Sequence, residues 1–261
     1  MFIVKFGGSV ITEKAKECCF RQEVMDDLAA QVKHAGEPMI LVHGAGSFGH
    51  ILAKQYALNS GFRRKNQLHG FALTHAQVQR LNNLVLASLQ NHGLPAVSIP
   101  PHAIITLRNH RVSHFDMKMF KDYLKKGFLP VTFGDVALDT SLGFSICSGD
   151  LLVEALAAQF KPEKVIFVMD EDGLYTSNPK TDPDHATFIE TATIKELRTL
   201  TTPSNKHADV TRGMEGKLAS IQCIARHGID TILVNGNIHN RLYDTLKGKQ
   251  TKSTYIVGEE P

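Results

Sequence analysis

Two glycine-bearing turns carry the first recognisable chemistry in this sequence. Gly7-Gly8-Ser9 follows the apolar run Phe2–Phe6, and His43-Gly44-Ala45-Gly46-Ser47-Phe48-Gly49-His50 closes the run Met39–His43. A residue without Cβ lets backbone N–H groups approach an anion closely. A turn from strand to helix also aims helix N–H dipoles at that anion. Lys5 precedes the first turn and Lys14 follows it. Either turn alone is equally well explained as a tight connection. The two together, with lysines beside them, favour a phosphate-holding pair. The motif G-x-x-x-x-G-K-[ST] is absent. Gly44–Gly49 formally matches G-x-G-x-x-G, but the acidic residue that a dinucleotide site wants about 20 residues on is missing. Arg63, Arg64 and Lys65 occupy that region, which argues against such a site.

Three further segments lie in the second half: Ser148-Gly149-Asp150, the run from Asp170 to Pro179, and the run from Asp209 to Lys217. Simple helix capping is the plain alternative for Ser148 and Asp209.

Positioning these residues requires short buried strands and amphipathic helices in alternation. Apolar runs predict strands at Phe2–Phe6, Met39–His43, Ala96–Ile99, Leu129–Phe133, Val165–Met169 and Thr231–Asn235. Helical periodicity is clearest over Thr74–Asn91, where Val78, Leu81, Val85 and Leu89 share a face. Arg21–His34, Asp116–Lys126, Gly149–Phe160 and Gly213–His227 pass the same test, and Gly36, Gly93, Gly127 and Gly228 act as stop signals. This alternation predicts an α/β fold with a mainly parallel sheet and helices on both faces. Asn59–Gly70 reads as a mobile basic loop and Asn178–Asp184 as a second loop. A hinge between halves is placed near Pro162, where a fresh strand unit begins.

Composition bounds the rest. The 261 residues are 43% hydrophobic and 21% charged, enough to build a core and unlike a disordered chain. The net charge of +3 is too small to argue for nucleic acid. No apolar run approaches the ~18 residues of a membrane span. Met1–Gly8 does not read as a secretory signal, so a cytoplasmic location is expected. Cys18, Cys19, Cys147 and Cys223 lack metal-site spacing and are expected to be free thiols. The 13 histidines form no sequence motif for a metal; His110 and His114 fall in a polar loop, and no protein-held metal is expected.

Taken in order, K-x-G-G-S at Lys5–Ser9, H-G-A-G-S-F-G-H at His43–His50, S-G-D at Ser148–Asp150, D-x-D-G-x-Y-T-x-x-P at Asp170–Pro179 and D-V-T-x-G-M-x-G-K at Asp209–Lys217 resemble the amino acid kinase superfamily. The resemblance covers nearly the whole chain. Within it, Gly46-Ser47-Phe48-Gly49-His50 looks most like the isopentenyl phosphate kinase branch, with fosfomycin kinases the nearest rival. The resemblance implies a three-layer αβα sandwich with an open, mainly parallel central sheet, in one domain. The N-terminal half, about 1–162, would bind the phosphoryl acceptor. The C-terminal half, about 163–261, would bind ATP. It further implies a homodimer, Mg²⁺ carried mainly by the ATP phosphates, and conversion of isopentenyl phosphate to its diphosphate in a variant mevalonate route.

Residue by residue, the resemblance assigns Lys5, Lys14 and Lys217 to the phosphoryl groups, Asp150 to orienting the lysines, and His50 to the acceptor phosphate. Gly7, Gly8, Ser9 and Gly46 would contact ATP through the backbone. Asp170, Asp172, Tyr175, Pro179, Gly213 and Gly216 would shape the nucleotide pocket. Ala45, Gly46, Gly49 and Gly149 would line the acceptor phosphate. Phe71, Thr74, Val78 and Ile146 are candidates for an apolar slot, although Phe71, Thr74 and Val78 equally suit a plain core face. Arg212 and Leu151 depart from the family pattern, which usually has glycine and aspartate there.

Overall fold

The computed structural model describes residues 1–177, 179, 182–199 and 213–259. Asn178 and the segment Asp209–Arg212, including the Arg212 departure, lie outside the described residues. The strands are β1 (Phe2–Phe6), β2 (Met39–His43), β3 (Ala96–Ser98), β4 (Ile105–Arg108), β5 (Arg111–Phe115), β6 (Leu129–Phe133), β7 (Asp135–Asp139), β8 (Gly143–Cys147), β9 (Lys164–Met169), β10 (Leu174–Tyr175), β11 (Phe188–Ile189), β12 (Thr191–Ala192), β13 (Asp230–Asn235) and β14 (Ser253–Ile256). The helices are α1 (Gly8–Ile11), α2 (Gln22–Ala35), α3 (Gly46–Gln55), α4 (Asn66–Asn91), α5 (Lys118–Lys125), α6 (Gly149–Phe160), α7 (Ile194–Thr199), α8 (Gly213–Ala225) and α9 (Arg241–Leu246).

All six strands expected from the apolar runs are present, and they join one eight-stranded sheet in the order β12-β14-β13-β9-β1-β2-β6-β3. β14 runs antiparallel to β13 and parallel to β12, so these two edge strands oppose the other six. β1 lies at the centre, parallel to β2 and β9, with Lys5 level with Val42 on one side and Phe167 on the other. Its five residues are all buried, as a central parallel strand demands. Alternation then splits them between two cores. Phe2, Val4 and Phe6 point to the side covered by α2 and α4, and Ile3 points to the side covered by α6 and α8. Lys5 shares the parity of Ile3, so it emerges on the α6 and α8 side. The carboxyl ends of the parallel strands β1, β2, β6 and β9 share one edge, and the strand order extends to opposite sides of β1, the usual place for a ligand in an open α/β sheet.

Several expectations need correction. His110 and His114 do not lie in a polar loop. They belong to the β4–β5 hairpin, whose turn residues Asn109 and His110 have φ of 50° and 64°, the left-handed pair of a tight hairpin. The Asp139 carboxylate accepts the N–H groups of Asn109, His110, Ser141 and Leu142 and holds this hairpin to β7. Burial opposes the charge on Asp139, but those N–H groups outweigh it and hold the carboxyl far below its usual range. Strands β4, β5, β7 and β8 form a second sheet that no apolar run announced.

The segment 59–70 is not a mobile loop either. Helix α4 already begins at Asn66 rather than Thr74. Buried Gln67 accepts from the N–H groups of Arg63 and Arg64 and donates towards the carbonyls of Tyr56, Ala57 and Gly61. Phe62 donates its N–H to the Leu142 carbonyl at 2.7 Å and packs on Phe144. One glutamine thus turns a polar, basic stretch into a strap over the β7–β8 hairpin. The described cysteines are all free.

Candidate active site

Backbone meets backbone where the two glycine turns converge. A Cβ on Gly8 would lie 2.5 Å from the Gly46 nitrogen, and one on Gly44 would lie 2.7 Å from the Gly8 nitrogen. Gly46 has φ +50°, and a Cβ there would fall 2.2 Å from Thr12 Oγ1. Thr12, which no motif singled out, pins the junction. Its hydroxyl donates to the Gly8 carbonyl at 2.7 Å and accepts the Ser47 N–H at 3.0 Å. Gly8→Ala is therefore expected to cost about 2–3 kcal/mol of stability through overpacking against rigid backbone and to weaken ATP binding. Urea unfolding and ATP titration check it, and wild-type values in both would contradict the junction.

A second cradle adjoins the first. A Cβ on Gly134, at the end of β6, would lie 3.0 Å from the Gly149 nitrogen and 3.6 Å from the Ala45 nitrogen. The two amides assigned to the acceptor phosphate thus flank one missing side chain. Two of the expected site glycines have their N–H groups engaged within the fold. The Gly7 N–H is taken by the Val168 carbonyl at 2.8 Å, and the Gly49 N–H is taken inside α3 by the Ala45 carbonyl at 3.2 Å. A Cβ on Gly49 would lie 2.6 Å from Ala45 Cβ and 2.9 Å from Val78 Cγ2. Its glycine is explained by close packing of α3 on α4.

Charge gathers beside these cradles. Lys5 is only 6% exposed, and its Nζ lies 2.5 Å from Asp150 Oδ1. Lys217 on α8 reaches the same oxygen at 3.5 Å. Both ammonium groups also lie over the Phe167 ring, at 5.7 and 5.2 Å from its centre. Asp150 is placed by the first turn of α6, which Ser148 caps by accepting the Leu151 N–H. Ser148 is thus the cap that the plain reading allowed. Leu151, the departure from the family pattern, packs against the core on that side of the sheet.

Two lysines share one carboxylate, so the cluster keeps a buried positive excess. Burial raises the Asp150 pKa, but Lys217 and Lys5 together outweigh it and hold the carboxyl at about 2. Burial lowers Lys5 to about 8, with Asp150 pulling it up and Lys217 pushing it further down. For stability the signs differ. Asp150 contributes stability that is lost as pH falls from its ordinary 3.8 through about 2. Lys5 is a depressed base, so stability rises with pH between about 8 and its ordinary 10.5. In the role that the resemblance implies for Lys5, meeting a phosphate, the amine must be protonated. We expect kcat/KM for ATP to fall as pH rises through about 8. Lys217→Met should move that limb to higher pH and Asp150→Asn to lower pH. Opposite shifts in a pH–rate series would remove Lys5 as the titrating group.

Lys14 stands apart from this cluster. Its side chain is 64% exposed and pairs with Asp170 at 3.4 Å. Asp170 also accepts the Ser9 hydroxyl at 2.8 Å, so it joins the first glycine turn to the end of β9. Asp172 is engaged by Asn235 at 3.0 Å, Arg241 at 2.5 Å and Lys252 at 2.7 Å. Burial would raise its pKa, but these donors hold it at about 2. Asp172 therefore ties the loop after β9 to β13, β14 and α9. Tyr175 packs on Phe188 in the β10–β11 pair, with Pro179 in a turn beyond. Gly213 opens α8, which carries Gly216 and Lys217.

Helix α3 carries partly exposed His50 one turn after Gly46. Thr74 and Val78 are buried, with Val78 facing Gly49 and the Thr74 hydroxyl donating to the Gly70 carbonyl. Both sit on the packed face of α4, as a core face would. Phe71 and Ile146 instead join Ala53, Leu58, Val136 and Phe144 in a small separate apolar cluster. A cavity of about 310 Å³ lies beyond it, between Ser60–Arg63 and Ser141–Gly143 at the hairpin tip. None of the glycine-turn residues lines it. His43, also unexpected, is fully buried, stacks on Phe133 and bonds Asn82. Burial lowers its pKa to about 4, so it is a neutral structural imidazole at the end of β2.

An open α/β sheet with paired glycine turns and a buried cationic cluster at its carboxyl edge is the architecture of a phosphotransferase that handles two phosphate groups. The family model of the amino acid kinase family matches residues 1–235, and this chain belongs to that family. Isopentenyl phosphate kinase of Methanothermobacter thermautotrophicus is 36% identical over 99% of this chain and 100% of its own length. A solved structure described as an X-ray structure of isopentenyl phosphate kinase superposes with a TM-score of 0.87 at 34% identity, covering 98% of this chain and 100% of that one. The product complex of the Thermoplasma acidophilum isopentenyl phosphate kinase gives a TM-score of 0.82 at 28% identity, over 98% and 99% of the two chains. Among the described residues, no helix is long and apolar enough to cross a membrane.

Proposed function

We propose that this protein transfers the γ-phosphoryl group of ATP to isopentenyl phosphate, giving isopentenyl diphosphate and ADP. The observation that carries the reading is the buried Lys5–Asp150–Lys217 cluster with its surplus positive charge, set between two backbone cradles. An acceptor phosphate oxygen attacks the γ-phosphorus as the bond to the β-phosphate oxygen breaks. That oxygen is already ionised, so no strong base is needed. Positioning and charge neutralisation must supply the rate. In this reading Lys5 and Lys217 neutralise the transferring group and Asp150 fixes their direction. Lys14, on a flexible exposed stem, swings from Asp170 to the ATP phosphates.

The acceptor phosphate rests on the Ala45 and Gly149 amides and on His50. An imidazole beside a dianion gains a proton more readily and donates to it. Gly8, Ser9 and Gly46 hold the ATP phosphates, and Tyr175, Pro179, Gly213 and Gly216 border the nucleotide. Mg²⁺ carried by the ATP phosphates would supply charge neutralisation there. The N-terminal half, about 1–162, takes the acceptor and the C-terminal half, about 163–261, takes ATP. The resemblance supports a cytoplasmic homodimer, which light scattering tests.

The apolar cluster of Phe71, Phe144 and Ile146 favours an isoprenyl tail over the small polar fosfomycin. A coupled assay for ADP release separates the two. Acceptor-dependent release is expected with isopentenyl phosphate. Release with fosfomycin alone would favour the second reading.

A further inference from the structure

We propose that His75, His102 and Asp135 form a binding site for one divalent transition-metal ion of the Zn²⁺ kind. The three residues come from separate elements. His75 lies on α4, Asp135 opens β7, and His102 sits in the short turn Pro101–Ala103. His75 Nδ1 is 2.8 Å and His102 Nδ1 is 3.6 Å from the same oxygen, Asp135 Oδ2. All three ligand atoms lie within 4.8 Å of one another. A tetrahedral zinc ion with bonds of about 2.0–2.1 Å asks for separations of roughly 3.3 Å, so small side-chain rotations close the set.

The surroundings favour a cation. The Asp135 side chain has 0% exposure, while His75 and His102 keep 26% and 34%. Among the described residues no lysine or arginine pairs with Asp135. Its other oxygen accepts the Val136 N–H at 2.8 Å. A buried carboxylate wants a compensating charge, and both rings offer it their Nδ1 edge with centres 4.1 Å apart. The outer atom of His75, Nε2, meets the Gln79 amide at 3.1 Å. That contact is made by Gln79 Nε2, which donates to the ring and leaves the His75 proton on Nδ1, facing Asp135. A metal on Nδ1 would displace that proton, Nε2 would carry one instead, and a flip of the Gln79 amide would present its oxygen as the acceptor. Two imidazoles and one carboxylate suit zinc or its neighbours in the first transition row, not magnesium. The partial exposure of the two rings leaves room for water at the fourth position. A bound ion would lock α4, the 101–103 turn and β7 together. It would also stiffen Gly134, next to Asp135, at the acceptor cradle. None of this depends on which acceptor is phosphorylated.

The test uses the full chain, free of any affinity tag and stripped with chelator. Titration with Co²⁺ should bring up the intense visible bands of tetrahedral cobalt, saturating at one ion per chain and bleached by Zn²⁺. Equilibrium dialysis with Zn²⁺ alone should show the same single equivalent. His102→Ala, on a partly exposed turn, should keep its fold and its metal-free kinase activity while losing roughly tenfold or more in affinity. Asp135→Asn should do the same if it folds. His239→Ala, in an exposed pair with Asp27, should change nothing. Zn²⁺ bound with unchanged affinity by His102→Ala, or no single equivalent bound by the wild-type chain, would overturn the proposal.

Discussion

Lys5→Met is expected to lower kcat by about a thousandfold, roughly 4 kcal/mol of transition-state stabilisation. Lys5 is the most deeply placed cation of the site, and its low exposure means that water cannot replace it. A charge held in such a dry position acts on the transferring phosphoryl far more strongly than an exposed one. The variant should still fold. Asp150 keeps Lys217 at 3.5 Å as a partner, so no uncompensated carboxylate is left behind. Lys5→Arg should not rescue activity. A Cβ on Gly149 would already lie 2.9 Å from Lys5 Cε, so the channel has no width for a planar guanidinium. Steady-state kinetics on variants with wild-type circular dichroism check both. A kcat within tenfold of wild type for Lys5→Met would contradict the assigned role.

His50→Ala is expected to cost about 2–4 kcal/mol in kcat/KM for the acceptor, the usual loss of one oxyanion-type donor. Affinity for ATP should barely move, because the proposed reading gives His50 on α3 to the acceptor phosphate and Lys217 on α8 to the transferring group. The split between the two substrates is the informative part. Equal losses for acceptor and ATP would mean that the variant merely disturbs α3. Turnover like wild type would remove His50 from the acceptor site.

Much of this architecture was legible because its determinants are local. Four or five mostly apolar residues that run into a turn are best read as a buried strand, and all six such runs joined one sheet. The glycine pairs were equally readable, since a missing Cβ is visible in the sequence. Their depth was not. Gly8 and Gly46 touch across 37 intervening positions, and only the fold reveals that Gly7 and Gly49 spend their N–H groups on structure. The second sheet escaped because its order comes from long-range bonds to Asp139, which joins two hairpins. The strap at 59–70 escaped for the same reason. A single buried amide, Gln67, organises a composition that reads as loop. His75, His102 and Asp135 are separated by at least 27 positions, so no spacing rule could gather them. Thr12 and His43 follow the same logic, with partners supplied by tertiary structure alone.

The central claim is the identity of the acceptor, and ³¹P NMR of the reaction mixture tests it most directly. The protein would be incubated with Mg·ATP and, separately, with isopentenyl phosphate, dimethylallyl phosphate, fosfomycin, acetylglutamate and UMP. The account predicts a new diphosphate and stoichiometric ADP with the five-carbon monophosphates, with isopentenyl phosphate turned over efficiently. A product only with fosfomycin, acetylglutamate or UMP, or no product with any acceptor, would contradict it.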